Sequence, residues 1–358
     1  MSTAPTSART RNPKTRLNWL VSSLERRLAS KRRELEARIR DSGYYCAALA
    51  GESGYNITIN SDLTVSCNCQ DYDGKGHIGD LRKNSFEEVF FGPIAARFRS
   101  ELADGRMPIA TCACCDELKP LPGGRTAPNP RLPYRGLLLE NTVRCNVDCV
   151  GCARGIAADL RASKQMSLEE IRQMADLVSR LQLQQLFLLN LGEPFLSRNV
   201  CLEIPILRAK NPECKIIVST NGIPLNSDAK REAALQLSHI FFSLHGTSDE
   251  MINKYMRLAK FEAAYASMKA MVDYRNASGR KEPVVEWKYL LFNWNDHPSH
   301  IQKAIALAKQ AGVDAISFWP TGTPFYGISW RYRLGLLDHV GVKSWKGREV
   351  DLRVNNPT

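Results

Sequence analysis

No run of 18 or more apolar residues occurs in the 358-residue chain, which excludes a membrane-spanning helix. The opening stretch, Met1-Ser-Thr-Ala-Pro-Thr-Ser-Ala-Arg9, lacks the apolar segment of a secretory signal. It is also free of acids as far as Glu25, a faint likeness to an organelle transit peptide; the expected location is the cytoplasm. Histidine is scarce, with six in all. Cysteine is not: there are eleven, and without a signal they point away from disulfides and toward metal or cluster ligation in a reducing compartment. Nine fall into three groups: Cys46 with Cys67 and Cys69; Cys112, Cys114 and Cys115; and Cys145, Cys149 and Cys152. Cys201 and Cys214 stand apart and read as small buried hydrophobes.

The net charge of +12 sits unevenly. Residues 1–40 hold eleven Lys/Arg against three Glu, a net +8, leaving +4 for the remaining 318 residues. The basicity therefore belongs to the N-terminal segment rather than to the body of the chain. After a basic tail at 1–16, Leu17, Leu20, Val21, Leu24, Leu28, Leu35 and Ile39 recur at helical spacing. A helix over 17–40 would be about 36 Å long. The expected role is a solvated helix packed on its own protein; the functional alternative is docking on an acidic partner, a nucleic acid or an anionic membrane.

Five organisational segments follow: a basic tail and amphipathic helix at 1–43, a cysteine-rich module at 44–118, a linker at 119–133, a core at 134–320 and an aromatic tail at 321–358. The linker has five prolines in fifteen residues, which neither a helix nor a sheet ladder can absorb. Within the module, 57–65 alternates like a strand around an Asn60-Ser-Asp62 turn, and 85–102 reads as one helix capped by Ser85. In the core, strands are expected at 136–141, 185–191, 215–220, 239–244, 284–293 and 314–319. Helices are expected between them at 167–181, 201–210, 228–237, 261–274 and 298–311. Six strands alternating with helices argue for an α/β fold with parallel pairing. In the tail, Phe325, Tyr326, Trp330, Tyr332 and Trp345 are expected to pack over the core.

Cys145, Cys149 and Cys152 follow the first core strand with a C-x-x-x-C-x-x-C spacing. A four-iron cluster ordinarily takes four thiolates, so a tight loop offering three leaves one iron for an outside ligand. A zinc site would want a fourth Cys or His nearby, and the next histidine downstream is His239. Three incidental thiols are the remaining alternative.

This spacing resembles the radical S-adenosylmethionine (radical SAM) superfamily. The resemblance implies a partial (β/α)6 TIM-like barrel and a [4Fe-4S] cluster on Cys145, Cys149 and Cys152 whose open iron is chelated by SAM. It also implies reductive cleavage of SAM to a 5'-deoxyadenosyl radical, with reduced flavodoxin or ferredoxin as electron donor. Active residues then sit at the carboxyl ends of the strands. Leu189-Asn-Leu-Gly192-Glu193-Pro194 resembles the superfamily's G-G-E-P motif, whose backbone binds the SAM amino group. Ser219-Thr-Asn-Gly222 and Phe242-Ser-Leu-His-Gly246 resemble later strand ends, so Asn221, Ser243, His245 and Lys288 join Gly192, Glu193 and Pro194 as implied cofactor contacts. His245 replaces a common Asp, and is either a proton donor or a hydrogen-bonded structural histidine. Asn293 is a further candidate polar contact and His297 an expected helix cap. Two positions depart from the pattern: Gly151 stands where relatives often carry a large side chain against adenine, and the strand Ala315-Ile-Ser-Phe-Trp-Pro320 lacks a glycine-rich adenine motif.

The module also resembles the SPASM domain, which carries auxiliary iron-sulfur clusters, although here it precedes the core instead of following it. Its cysteines are doubled: Cys46, Cys69, Cys112 and Cys115 are the first choice of ligands, with Cys67 and Cys114 as spares, and a zinc knuckle as the alternative. The resulting expectation is a radical SAM enzyme with an auxiliary cluster, acting on a peptide or protein side chain or a small metabolite. The alternatives are a radical SAM enzyme modifying RNA, favoured by the basic N-terminus alone, and a non-catalytic metal-binding protein that binds nucleic acid.

Overall fold

A computed structural model describes residues 13–69, 71, 73–123 and 125–342. The basic residues before 13 and Trp345 lie outside the described residues. The chain divides into two compact units, one formed by the chain up to Val143 with Ala153–Gly192 and Ala209–Cys214, the other by Arg144–Cys152, Glu193–Arg208 and the chain from Lys215 onward.

In the first unit the amphipathic pattern near the start does form a helix, Pro13–Arg40. It packs by a face other than the leucine stripe. Ala37 is buried with Tyr44, Leu102, Met107 and Ala113, and Ala29 packs against that cluster. The Tyr44 hydroxyl donates to the Arg33 carbonyl at 3.0 Å, while Leu17, Leu24, Leu28 and Ile39 face outward. Helical periodicity marks an amphipathic segment, and here small residues let the helix approach its neighbours closely while the leucines stay in solvent.

The single helix expected over 85–102 is two, Phe86–Phe90 and Pro93–Ala103. Ser85 opens the first with a reciprocal cap, its hydroxyl accepting from the Glu88 N–H while the Glu88 carboxylate accepts from the Ser85 N–H. The break falls at Gly92-Pro93, because proline supplies no N–H and disfavours helical geometry in the residue before it. Leu118–Leu121, at the start of the proline-rich stretch, pairs antiparallel with Gly43–Cys46 as a short strand.

The alternating 57–65 segment is a hairpin, Thr58–Ile59 against Thr64–Ser66, extended by His77–Asp80. Thr58–Ile59 also pairs in parallel with Leu138–Leu139 of the first core strand, Gly136–Leu139, which pairs in parallel with Gln185–Leu188. The cysteine-rich module and the first two core strands therefore share one sheet. A buried network ties them further: Glu140 accepts from Arg161 Nε at 3.0 Å, from the Ser61 N–H at 3.2 Å and from Asn190 Nδ2 at 3.0 Å, while Arg161 Nη2 donates to Asn60 Oδ1 at 2.7 Å.

The second unit holds the other four expected strands, Lys215–Thr220, His239–Ser243, Val284–Leu291 and Ala315–Pro320, each parallel to its neighbours in that order. Side chains alternate across this sheet, as strand geometry requires. Val218, Ile240, Phe242, Val285, Trp287 and Tyr289 are buried on one face. The other face is half-open and carries Ser219, Phe241, Ser243, Lys288 and Trp319. Strands and helices alternate through both units, giving an α/β fold with a mostly parallel sheet. Of the tail aromatics, Tyr332 is buried, Phe325 and Tyr326 are half-exposed and Trp330 is exposed, so the expected packing is only partial.

Candidate functional site

The Cys145–Cys152 loop belongs to the second unit. Asp148–Cys149 forms a two-residue strand paired antiparallel with Met256–Arg257, and the Val150 N–H donates to the Tyr255 carbonyl at 2.9 Å. The Arg257 guanidinium pairs with Asp148 at the edge of this ribbon. One antiparallel register thus holds the middle of the thiol loop, and all three cysteines are half-buried. None of the described cysteines is in a disulfide.

Tyr255, which sequence reading missed, fills the place beside the loop. A side chain at Gly151 would put its Cβ 2.7 Å from Thr323 Cγ2 and 3.1 Å from Tyr255 Cε2. A side chain there would therefore have to displace Thr323 or Tyr255, neighbours from elsewhere in the chain. The Tyr255 ring lies tilted against Phe292 (4.7 Å between centroids) and His245 (5.7 Å), and its phenol is pushed upward in pKa by burial and then by Cys149 and Cys152. Its only sequence signal is a tyrosine one position before the ribbon strand, which no motif announces.

The strand ends approach this loop through hydrogen bonds. Glu193 is fully buried and accepts from Thr220 Oγ1 at 2.7 Å, from the Asn221 N–H at 2.7 Å and from the Phe195 N–H at 3.2 Å. Burial still dominates and raises its pKa to about 7. Asn221 donates from Nδ2 to Asn146 Oδ1 at 2.8 Å and lies 4.0 Å from Cys145 Sγ. Glu193 thus braces the strand end that presents an amide to the thiol loop. Gly222 follows with φ of 82°, a left-handed conformation that favours glycine. Pro194 opens a short 3-10 turn beneath Glu193.

The space kept open by Gly192 is already taken. An added Cβ would lie 1.8 Å from the Thr142 carbonyl oxygen, so this glycine serves a close approach of chain to chain.

Ser243 and Ser219 hydroxyls meet at 3.0 Å on the half-open face of the sheet. Lys288 Nζ stands 4.8 Å from the Trp319 ring centre and 5.9 Å from that of Phe241, and burial lowers its pKa. His245 Nδ1 accepts from the Leu290 N–H at 3.1 Å. Burial first, and Lys288 second, push its pKa down to about 3, so the ring is neutral at physiological pH. Between the two readings of His245, this geometry favours the hydrogen-bonded structural one. Asn293 is spent on the Tyr326 carbonyl at 2.8 Å, and His297 caps the helix Pro298–Ala311 as expected.

The remaining thiols gather in the first unit. Cys46, Cys67, Cys112 and Cys115 line one cavity with Leu49, Phe98, Leu102 and Leu118. Burial raises Cys46 and Cys112 to about 12 and Cys67 well above the ordinary thiol value, with neighbouring thiols adding to each. Cys69 lies beside Cys115 but does not line the cavity, and Cys114 is exposed near Arg26. Cys67, expected as a spare, lines this cavity, and Cys69, expected as a first choice, does not. Cys214 is buried and Cys201 half-buried. Among the described residues no three His, Cys, Asp or Glu side chains are grouped around a single metal ion.

Residues 139–279 match the model of the Radical SAM superfamily. This stretch is similar to the radical SAM domain, a domain of enzymes, and the match leaves the rest of the chain outside it. The superfamily works with a [4Fe-4S] cluster and SAM. No curated protein matches the chain. Solved structures similar to it include native anSMEcpe with bound AdoMet, at 17% identity and a TM-score of 0.41, covering 59% of this chain and 68% of that one. Others are TYW1 with a lysine-pyruvate adduct bound (16%, 0.33, 49% and 60%) and methylornithine synthase, PylB (13%, 0.38, 57% and 61%). No helix among the described residues is long and apolar enough to cross a membrane.

Proposed function

We propose that this protein is a radical SAM enzyme built on a partial (β/α)6 barrel, with Cys145, Cys149 and Cys152 holding the site cluster. The observation that carries the reading is the thiol loop itself: three half-buried cysteines in one short loop whose middle member, Cys149, is held in a registered ribbon, with the Asn221 amide 4.0 Å from the first sulfur. The donor set fits a cluster that takes one thiolate per iron and leaves a corner free. When bound, the cluster and SAM supply one electron and a 5'-deoxyadenosyl radical that takes hydrogen from the substrate.

The protein's own residues hold and shield. Glu193 fixes the Thr220–Asn221 strand end, Asn221 directs its amide toward Cys145, and Tyr255 closes the side of the loop beside Gly151. Pro194 follows Glu193 and shapes the turn that aims its carboxylate. Ser219, Ser243, Lys288 and Trp319 offer hydroxyls, a cation and an aromatic surface to SAM or to a substrate, a peptide or protein side chain or a small metabolite. Cys46, Cys67, Cys112 and Cys115 are the thiols best gathered for an auxiliary cluster, in a module resembling SPASM. An external one-electron donor of the flavodoxin or ferredoxin type completes the reaction.

The test is anaerobic reconstitution with iron and sulfide, followed by dithionite and SAM. The wild-type chain should release 5'-deoxyadenosine, and a variant with Cys145→Ala, Cys149→Ala and Cys152→Ala should release none while losing about four irons. Unchanged cleavage in that variant, or none in the reconstituted wild type, rules the reading out.

A further inference from the structure

The leucines of the helix Pro13–Arg40 do not serve the fold. Leu17, Leu20, Leu24, Leu28, Leu35 and Ile39 are each 50–75% exposed. At about 100° per residue they fall within a sector roughly 100° wide. Between Leu17 and Ile39 the stripe runs about 33 Å at 1.5 Å per residue. An outward row of this length, interrupted by Lys31 between Leu28 and Leu35, marks a contact surface rather than scattered exposure.

One of its rims is basic. Arg27 and Arg38 flank one side, Lys31 stands within the leucine sector between Leu28 and Leu35, and Arg32 lies on the other side next to Glu25, all exposed. Lys31 and Arg32 each have an intrahelical glutamate, at 3.4 and 3.6 Å, but among the described residues Arg27 and Arg38 have no acidic partner. The opposite face is occupied: Ala29 and Ala37 pack into the adjoining cluster, and Glu34 accepts from the Met107 N–H at 3.3 Å. The helix is therefore fixed lengthwise on its own protein, with one apolar face outward, a basic margin along one side and a mixed margin of Arg32, Glu25 and Glu36 along the other.

We propose that this stripe docks the protein on an anionic lipid surface, with the helix lying in the plane of the headgroups. The leucines would enter the acyl boundary while the long Arg and Lys side chains reach back to phosphate. Charge argues against a second copy as the occupant, since residues 17–40 carry seven Lys/Arg against three Glu and pairing would bring two such helices together. Nucleic acid is disfavoured because the outward face is mostly leucine, and Lys31, the cation set within it, is paired with Glu34. This inference is independent of the radical chemistry.

The experiment is flotation of the full-length protein with phosphatidylcholine vesicles, with and without phosphatidylglycerol. Binding should require the anionic lipid and weaken as salt is raised. Leu24→Ser with Leu28→Ser should lower partitioning on the order of tenfold or more, because two apolar anchors are lost. Arg27→Gln with Arg38→Gln should instead shrink the preference for anionic over neutral vesicles. All four positions are exposed, and unchanged far-UV circular dichroism would show that the variants fold. Absence of binding to either vesicle, equal binding to both, or full binding by the double serine variant overturns the proposal. So does a dimer or an RNA complex that the serine substitutions abolish in place of vesicle binding.

Discussion

Glu193 provides a measurable link between burial and pH. Its carboxyl is held at about 7, chiefly by burial, against about 4.5 for an exposed glutamate. That separation corresponds to about 3 kcal/mol between the two protonation states. A folded-state pKa raised above the unfolded value means stability that is fully present below about 4.5 and lost as pH rises toward about 7. The perturbation is Glu193→Gln. At pH 5 the wild-type group is the neutral acid, and glutamine would set its amide nitrogen either against the Asn221 N–H or against the Thr220 and Phe195 donors, so the variant should be weaker there by about 1–3 kcal/mol. Because glutamine does not titrate, that disadvantage should shrink by about 3 kcal/mol, and can reverse in sign, by pH 8. Urea unfolding of the metal-free, reduced chain across this range reads the difference directly. A gap between wild type and variant that stays constant, or widens with pH, refutes the reasoning.

Three further outcomes follow from the geometry. Gly192→Ala should cost about 3 kcal/mol or more in thermal or urea unfolding, because its Cβ meets a backbone oxygen at 1.8 Å, whereas Gly322→Ala, with nothing within 4 Å, should stay within about 0.5 kcal/mol. Cys67→Ala should remove about four irons from the reconstituted protein and Cys69→Ala none, since only Cys67 lines the cavity; iron analysis giving the reverse order would reject the assignment. Asn221→Ala should lower the potential of the site cluster in a redox titration followed by electron paramagnetic resonance, because an amide beside the Cys145 sulfur favours the reduced form; an unmoved midpoint would deny it that role.

The thiol loop and the strand ends were legible in sequence because both depend on local spacing. Asn221 and Glu193 lie where alternating strands and helices deliver them. Three features were not legible. Periodicity identified the leucine stripe but carries no sign saying which face is buried, and small residues such as Ala29 and Ala37 gave the helix its packing surface. Cys67 and Cys69 would share a face if the strand continued, yet it ends at Ser66, so the chain redirects one thiol into the cavity and leaves the other outside it. Gly151 looked like a missing contact because its neighbours, Tyr255 and Thr323, stand more than a hundred residues away in the chain.

Arg161 and Glu140 are almost wholly secluded from water, and their partners Asn60 and Ser61 come from the module that precedes the core. Trimming the gene to the stretch matched by the family would strand an ion pair whose solvation was supplied by the discarded half, a loss of several kcal/mol. The preceding module and the first core strands must therefore be expressed and engineered as a single object.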